Sequence, residues 1–185
     1  RRGSAPAEPE NPSGPIVQEA LGKSGQIVTY EDLLTDPHDE DLFDYYATSR
    51  LAVVDVRTDV ATAFGPRGIY TSVLPSPDGK MLLTEHLHKP YSYLFPYDRF
   101  PAETEVVDLH GNRVLSVVSR GLQDRLPVEG VPIGPRDITW EEGAPESLAW
   151  VEALDGGDPR APATLRDRLV TRAVGGGAVA VEEMR

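Results

Sequence analysis

The sequence predicts a mainly all-β chain of short antiparallel strands, with one or two short helices near the N-terminus. Seventeen glycines and seventeen prolines in 185 residues punctuate it into many short elements. Apolar, β-branched runs of about five or six residues recur between those breaks. In one place, Pro75-Ser76-Pro77-Asp78-Gly79-Lys80, a tight turn stands between two such runs. Pro77 suits the second position of a β-turn, Asp78 can bond nearby backbone, and Gly79 accepts positive φ.

Residues 1–15 are rich in proline and poor in apolar side chains, and read as a disordered or extended lead-in. Residues 16–21 read as a short extended segment. The segment 29–47 carries two helix starts. Thr29 with Asp32 fits a capping box, and Asp36-Pro37 places an N-cap before proline at the first helical position. Leu42, Phe43, Tyr45 and Tyr46 supply an apolar face. From Arg50 onward the pattern is β. Strands are expected at 51–56, 69–74, 81–84, 91–95, 105–109, 113–118, 136–140 and 147–152. Gly175-Gly176-Gly177 reads as a loop between strands; it lacks the Lys-Ser/Thr of a phosphate loop.

Lys and Arg number 18 against 30 Asp and Glu, giving a net charge of −12. That balance disfavours a nucleic-acid surface or an anionic membrane. With no cysteine, disulfides, thiolate metal sites and a catalytic thiol are excluded. No apolar run approaches the ~20 residues that span a bilayer. The chain begins Arg1-Arg2, without an initiator Met, and reads as a piece of something longer. No compartment follows from the sequence.

Two hairpin sequences share one plan. "TSVLPSPDGKMLLTE" and "RDITWEEGAPESLAWVE" each run strand, polar turn, strand, ending at Glu85 and Glu152, which are 67 positions apart. A Val-Asp strand end precedes each, at Asp55 and Asp108. A recurring unit with its turn in one place is the mark of a β-propeller blade, although 67 residues exceed the ~40–50 of compact blades. The expectation is a partial β-propeller of four-stranded blades over 16–185, with a helical insertion at about 29–47. At least four blades close a ring. An incomplete one leaves apolar faces uncovered, with Leu74, Leu83, Trp140 and Trp150 among the residues short of neighbours.

The run Glu85-His86-Leu87-His88-Lys89-Pro90-Tyr91-Ser92-Tyr93-Leu94-Phe95-Pro96-Tyr97-Asp98-Arg99-Phe100-Pro101 resembles the propeller of the prolyl oligopeptidase family of serine peptidases, in its glutamyl endopeptidase-like branch. Gly14 to Glu19, Tyr30 to Val56, Asp137 to Trp140 and Leu148 to Asp158 extend the likeness to roughly residues 11–160. The resemblance implies a propeller that admits peptides to a C-terminal α/β-hydrolase domain bearing a Ser-Asp-His triad. No Gly-x-Ser-x-Gly elbow occurs here, so no catalytic residue is carried over to this chain. The resemblance further implies a peptide substrate, the hydrolase domain as partner, no cofactor, and a soluble protein of a plastid or of the bacterial periplasm or cytoplasm. A non-catalytic propeller binding a protein or ligand is the alternative.

Among candidate sites, an acidic chain that accepts an acidic peptide needs arginine to reverse the field locally. Arg67, Arg99 and Arg136 are the substrate-binding candidates, set against an ordinary role as surface or inter-blade residues. His86 and His88 share a strand face, but two ligands do not make a metal site. Asp55, Asp59, Asp78 and Asp108 fall at strand ends or turns, where Asp bonds backbone more often than it serves acid–base chemistry.

Overall fold

The computed structural model describes residues 4–7, 30–127, 129–144, 146–177 and 179–184. One helix and nine strands are defined among them: α1 (Pro37–Ala47), β1 (Ser49–Asp55), β2 (Val60–Pro75), β3 (Met81–Leu87), β4 (Ala102–Asp108), β5 (Arg113–Arg120), β6 (Arg136–Trp140), β7 (Ser147–Ala153), β8 (Asp167–Ala173) and β9 (Val179–Met184). The strands form two antiparallel meanders, β1-β2-β3-β4-β5 and β6-β7-β8-β9. The chain is therefore mainly β, as expected. No closed ring is formed among the described residues.

Helix α1 begins as the sequence predicts. The Asp36 side chain accepts from the backbone N–H groups of His38 and Asp39, and Pro37 opens the first turn. Of the one or two helices expected, one is formed: residues 30–35 are irregular, and Asp32 sits at φ +55°. Thr29, residues 16–21 and most of the lead-in lie outside the described residues.

Strand β2 is much longer than the run that announced it. Residues 60–68 pair with β1, whereas 69–75 pair with β3. The first half thus forms a two-stranded arm with β1, and the second half is a member of the sheet. The arm bends back until Gly65 meets Gly111 in the β4–β5 turn; a Cβ on Gly111 would lie 2.4 Å from the Gly65 Cα. Only glycine permits that backbone approach. Val53, Val54, Val56 and Val60 of the arm are exposed.

The expected strand 91–95 is a loop. Pro90 and Pro96 remove ladder donors at its two ends. Its Tyr91 serves the helix instead: the Tyr91 ring stacks on Phe100 at 5.0 Å, and Phe43 of α1 stands edge-on to both. Strands β8 and β9, which the sequence reading left unassigned, complete the second sheet, with Gly175-Gly176-Gly177 between them.

The two hairpins singled out by their sequence are equivalent in the structure. β2–β3 closes with Ser76 N–H donating to Met81 C=O at 2.8 Å, and β6–β7 with Glu141 N–H donating to Ser147 C=O at 2.8 Å. β6–β7 opens the four-strand meander, whereas β2–β3 is the second hairpin of the five-strand one and opens its β2-β3-β4-β5 part once the β1 arm is set aside. The Val-Asp ends are not equivalent: Asp55 closes β1, whereas Asp108 closes β4.

Two apolar clusters hold the molecule. In the larger, Leu83 and Val106 of the first sheet pack with Trp140, Leu148, Trp150 and Val170 of the second. The Trp140 indole N–H donates to the Leu74 carbonyl at 2.9 Å and pins the seam. Leu83, Trp140 and Trp150 are therefore buried between the sheets and not on an uncovered face; Leu74 alone of the four is exposed. The smaller cluster, Ile69, Leu87, Phe100 and Ala102, lies at the other end of the first sheet, with Leu34 and Phe43 packed on it. Burying one such side chain contributes roughly 1.5–3 kcal/mol.

The Asp78-Gly79 turn has the predicted chemistry. Gly79 N–H donates to Ser76 C=O at 2.8 Å, which puts Pro77 at the second position. Asp78 takes hydrogen bonds from the Lys80 ammonium, the Ser76 hydroxyl and the Lys80 amide, which lower its pKa to about 2. Gly79 has φ +70°, and a side chain there would touch nothing within 4 Å. The cost of a substitution is thus purely conformational. Gly79→Val should destabilise by about 1–2 kcal/mol and Gly79→Asn by much less, measured by urea unfolding. Equal midpoints for Val and Gly would contradict the turn.

Candidate functional site

Between the two clusters the inner face of the first sheet is polar. Glu85 on β3 faces Thr104 on β4, and Arg120 ends β5 opposite Ala102. The Thr71 hydroxyl donates to Glu85 Oε1 at 2.8 Å, and the Thr104 hydroxyl to Oε2 at 3.3 Å. Arg120 Nη1 stands 3.7 Å from Glu85 Oε2, while its Nη2 donates to the Pro135 carbonyl at 2.6 Å. The Arg120 side chain is only 19% exposed, and its buried Nε has no partner.

This pair separates two hollows. The inter-sheet lobe, about 410 Å³, is lined by Leu83, Thr104 and Arg120 on one side and Val131, Arg136 and Ile138 on the other. The helix-side lobe, about 290 Å³, is lined by Leu87, Arg99, Phe100, Arg120, Gln123 and Leu126, among others. Together they have the size and the mixed lining of small-ligand sites. The loop after β5 is fixed over the second lobe by Gln123 N–H donating to Arg99 C=O at 2.9 Å.

The three predicted arginines part company here. Arg99 lies in the short 3-10 turn Tyr97–Arg99 and lines the helix-side lobe; no ion pair or side-chain hydrogen bond engages it among the described residues. Arg136 lines the inter-sheet lobe with both terminal nitrogens engaged, Nη1 on Asp137 at 2.6 Å and Nη2 on Asp167 at 2.5 Å, while its buried Nε has no partner. Burial opposes its charge, yet the bonds to Asp167 and Asp137 raise its pKa. Arg67 is exposed on β2, where it pairs in register with Arg50, and lines neither lobe. Arg120, which the sequence reading missed, lines both.

The remaining candidates have structural roles. His86 packs against the Tyr70 ring at 5.9 Å, and His88 lies 3.8 Å from Glu103. Asp108 is bonded by the Asn112 side chain, and by the amides of Asn112 and His110, which lower its pKa. Asp55 accepts from the Arg57 amide at 2.9 Å, and Asp59 is a turn residue at φ +54°. Glu152, the counterpart of Glu85, accepts from the Trp150 indole at 2.8 Å and from Arg168 at 2.6 Å. No helix among the described residues is long and apolar enough to cross a membrane.

No protein-family model matches the chain, and no solved structure matches it. Over 169 residues it is 40% identical to a protein of Oryza sativa subsp. japonica described as "Probable glutamyl endopeptidase, chloroplastic". It is 39% identical over 169 residues to an Arabidopsis thaliana protein of the same description. The matches take in 90% of this chain but only 18% and 17% of those relatives, so the chain spans less than a fifth of their length.

Glu85 links three strands, and its loss would leave Arg120 half-paired in a sheltered place. Glu85→Ala should cost roughly 1–3 kcal/mol in urea unfolding, and Glu85→Gln, which still accepts from Thr71, clearly less. Unchanged stability in Glu85→Ala would show that this polar band holds nothing together.

Proposed function

We propose that this chain is part of the β-propeller of a serine endopeptidase of the prolyl oligopeptidase family, glutamyl endopeptidase-like branch. In this reading it screens the approach of peptides to an α/β-hydrolase domain carried elsewhere in a longer polypeptide. The observation that carries the reading is the 40% identity, sustained over 169 residues, to a protein described as a glutamyl endopeptidase. The topology supports it: two consecutive antiparallel meanders, with matching β2–β3 and β6–β7 hairpins, pack on one another as neighbouring blades do.

The chemistry assigned to the longer polypeptide is acyl transfer to serine. A nucleophile elbow exposes the hydroxyl, a histidine takes its proton, and an aspartate holds the imidazole. None of these groups is assigned to the present 185 residues. Their share is selection by access. A folded substrate cannot enter an opening between blades, whereas an extended peptide can. Arg99 and Arg136, which line the two lobes, are the residues proposed to meet such a peptide; the exposed position of Arg67 gives it no place in the cleft.

Reading the open reading frame beyond Arg185 and expressing its product tests this. The longer product should contain Gly-x-Ser-x-Gly followed by Asp and then His, and should label with a fluorophosphonate at that serine. The 185-residue chain should not label. A frame with further blades and no elbow would favour a non-catalytic binding propeller, and labelling of a serine within the 185 residues would overturn the assignment.

A further inference from the structure

A third hollow, of about 210 Å³, lies where the 30–35 segment, helix α1 and the 95–100 stretch meet. It shares Tyr97 and Phe100 with the helix-side lobe, but neither Arg99 nor Arg120 lines it. Its walls are mainly aromatic, built by Phe43, Phe95, Tyr97 and Phe100 with Leu34 beside them. The rings brace one another: Phe43 meets Phe100 edge-on at 6.0 Å, and Phe95 meets Tyr30 at a tilt, also at 6.0 Å. No cationic residue lines this hollow; its two charged residues are Glu31 and Asp32. Both are exposed, and no ion pair or hydrogen bond engages either side chain among the described residues.

This lining narrows the ligand. An anion would meet two carboxylates and no counter-charge. The first turn of α1 adds Asp39 and Glu40 to the same end of the molecule, and Lys89 is spent on Glu40 and Asp44, at 3.3 and 3.1 Å. A hard metal ion wants six or more oxygen ligands, which two carboxylates among aromatic rings do not supply. A neutral apolar guest would fill the walls and leave both carboxylates unpaired. A positive head on an apolar stem satisfies both features: aromatic rings attract a cation through their quadrupole, and carboxylates hold it by charge-assisted hydrogen bonds. At about 210 Å³ the hollow lies below the ~300 Å³ at which drug-sized ligands begin, so it takes one such group.

We infer that this hollow is a binding site for an organic cation, an ammonium carried on an apolar stem, with Phe43, Phe95 and Phe100 around the stem and Glu31 and Asp32 pairing with the charge at the mouth. A free alkylamine and the lysine side chain of a peptide offer the same chemistry. The site uses neither Arg99 nor Arg136, the residues proposed to meet a peptidase substrate, so its failure and that of the peptidase assignment are separate results. Asp32 is left-handed at φ +55°, a region that Asn enters as readily as Asp. Asp32→Asn therefore removes the charge and keeps the backbone.

The experiment is a titration of the 185-residue chain carrying ¹³C-labelled phenylalanine and leucine, following the ring signals of Phe43 and Phe95 and the methyl signals of Leu34. The ligands are n-butylammonium, N-acetyl-Ala-Lys-Ala-amide, n-butanol, butyrate and calcium chloride. Butylammonium, the Lys peptide or both should shift these signals saturably, and which of them does identifies the source of the cation. Butanol should bind at least about tenfold more weakly, and butyrate and calcium should leave the signals in place. The Glu31→Gln/Asp32→Asn double variant should weaken cation binding about 10-fold, and added salt should weaken it in the wild type. Phe95→Leu should weaken it about 3- to 10-fold, whereas Phe95→Tyr, which keeps the ring, should retain it. Glu142→Gln, on the exposed β6–β7 turn, should leave it unchanged. The Trp140 indole signal reports that each variant is folded. Butanol binding as tightly as butylammonium, undiminished affinity in the folded double variant, or no saturable shift by either cation up to about 50 mM would each overturn the inference.

Discussion

The seam between the two sheets is the constraint on which the rest of the structure depends. Each sheet has one strongly apolar face, and neither could hide it alone. Leu148, Trp150 and Val170 of the second sheet cover Leu83 and Val106 of the first, and the Trp140 indole bond to Leu74 sets where that cover stops. It stops part-way along β3 and β4. Helix α1 and the 88–101 loop cover the far end through Phe43, Tyr91 and Phe100. The strip between the two covers must tolerate solvent, and it is there that Thr71, Glu85, Thr104 and Arg120 lie. The cleft is thus a consequence of two incomplete lids on one sheet face.

Much of this was legible in the residues. The N-cap at Asp36, the Asp78-Gly79 turn and the paired hairpins rest on local backbone chemistry, and local chemistry is readable without tertiary knowledge. The misses share a cause. The first half of β2, with Gly65 and Pro66 inside it, carries the breakers of a loop, yet it pairs because β1 lies alongside. Tyr91–Phe95 has strand composition, yet its Tyr91 ring is claimed by Phe43 of α1 and its Phe95 ring by Tyr30. Arg120 was missed for a subtler reason. Register shifts at Thr104/Glu105 and Val106/Val107 interrupt the pairing of β5 with β4. Counting alternate residues along β5 from sequence therefore fails to place its last side chain on the inner face. A Glu within β3 and an Arg at the end of β5 were the signal available, and only the sheet register joins them.

The functional reading follows from scale as much as from geometry. A chain spanning less than a fifth of its relatives' length cannot be expected to hold all of their chemistry. What it holds is two packed sheets with an opening lined by both arginines and carboxylates. The second sheet supports the same view: Ala149, Val151 and Leu169 lie on its face remote from the Trp150 cluster and are only half-buried.

The central claim is that these two sheets are successive blades of a larger ring. It is tested most directly by determining the structure of the longer reading-frame product by electron cryomicroscopy or crystallography. The account predicts that the Trp140 seam is preserved and that a further four-stranded sheet packs on the face formed by Ala149, Val151 and Leu169. A structure in which that face lies in solvent, with the two sheets closing only on each other, would contradict it.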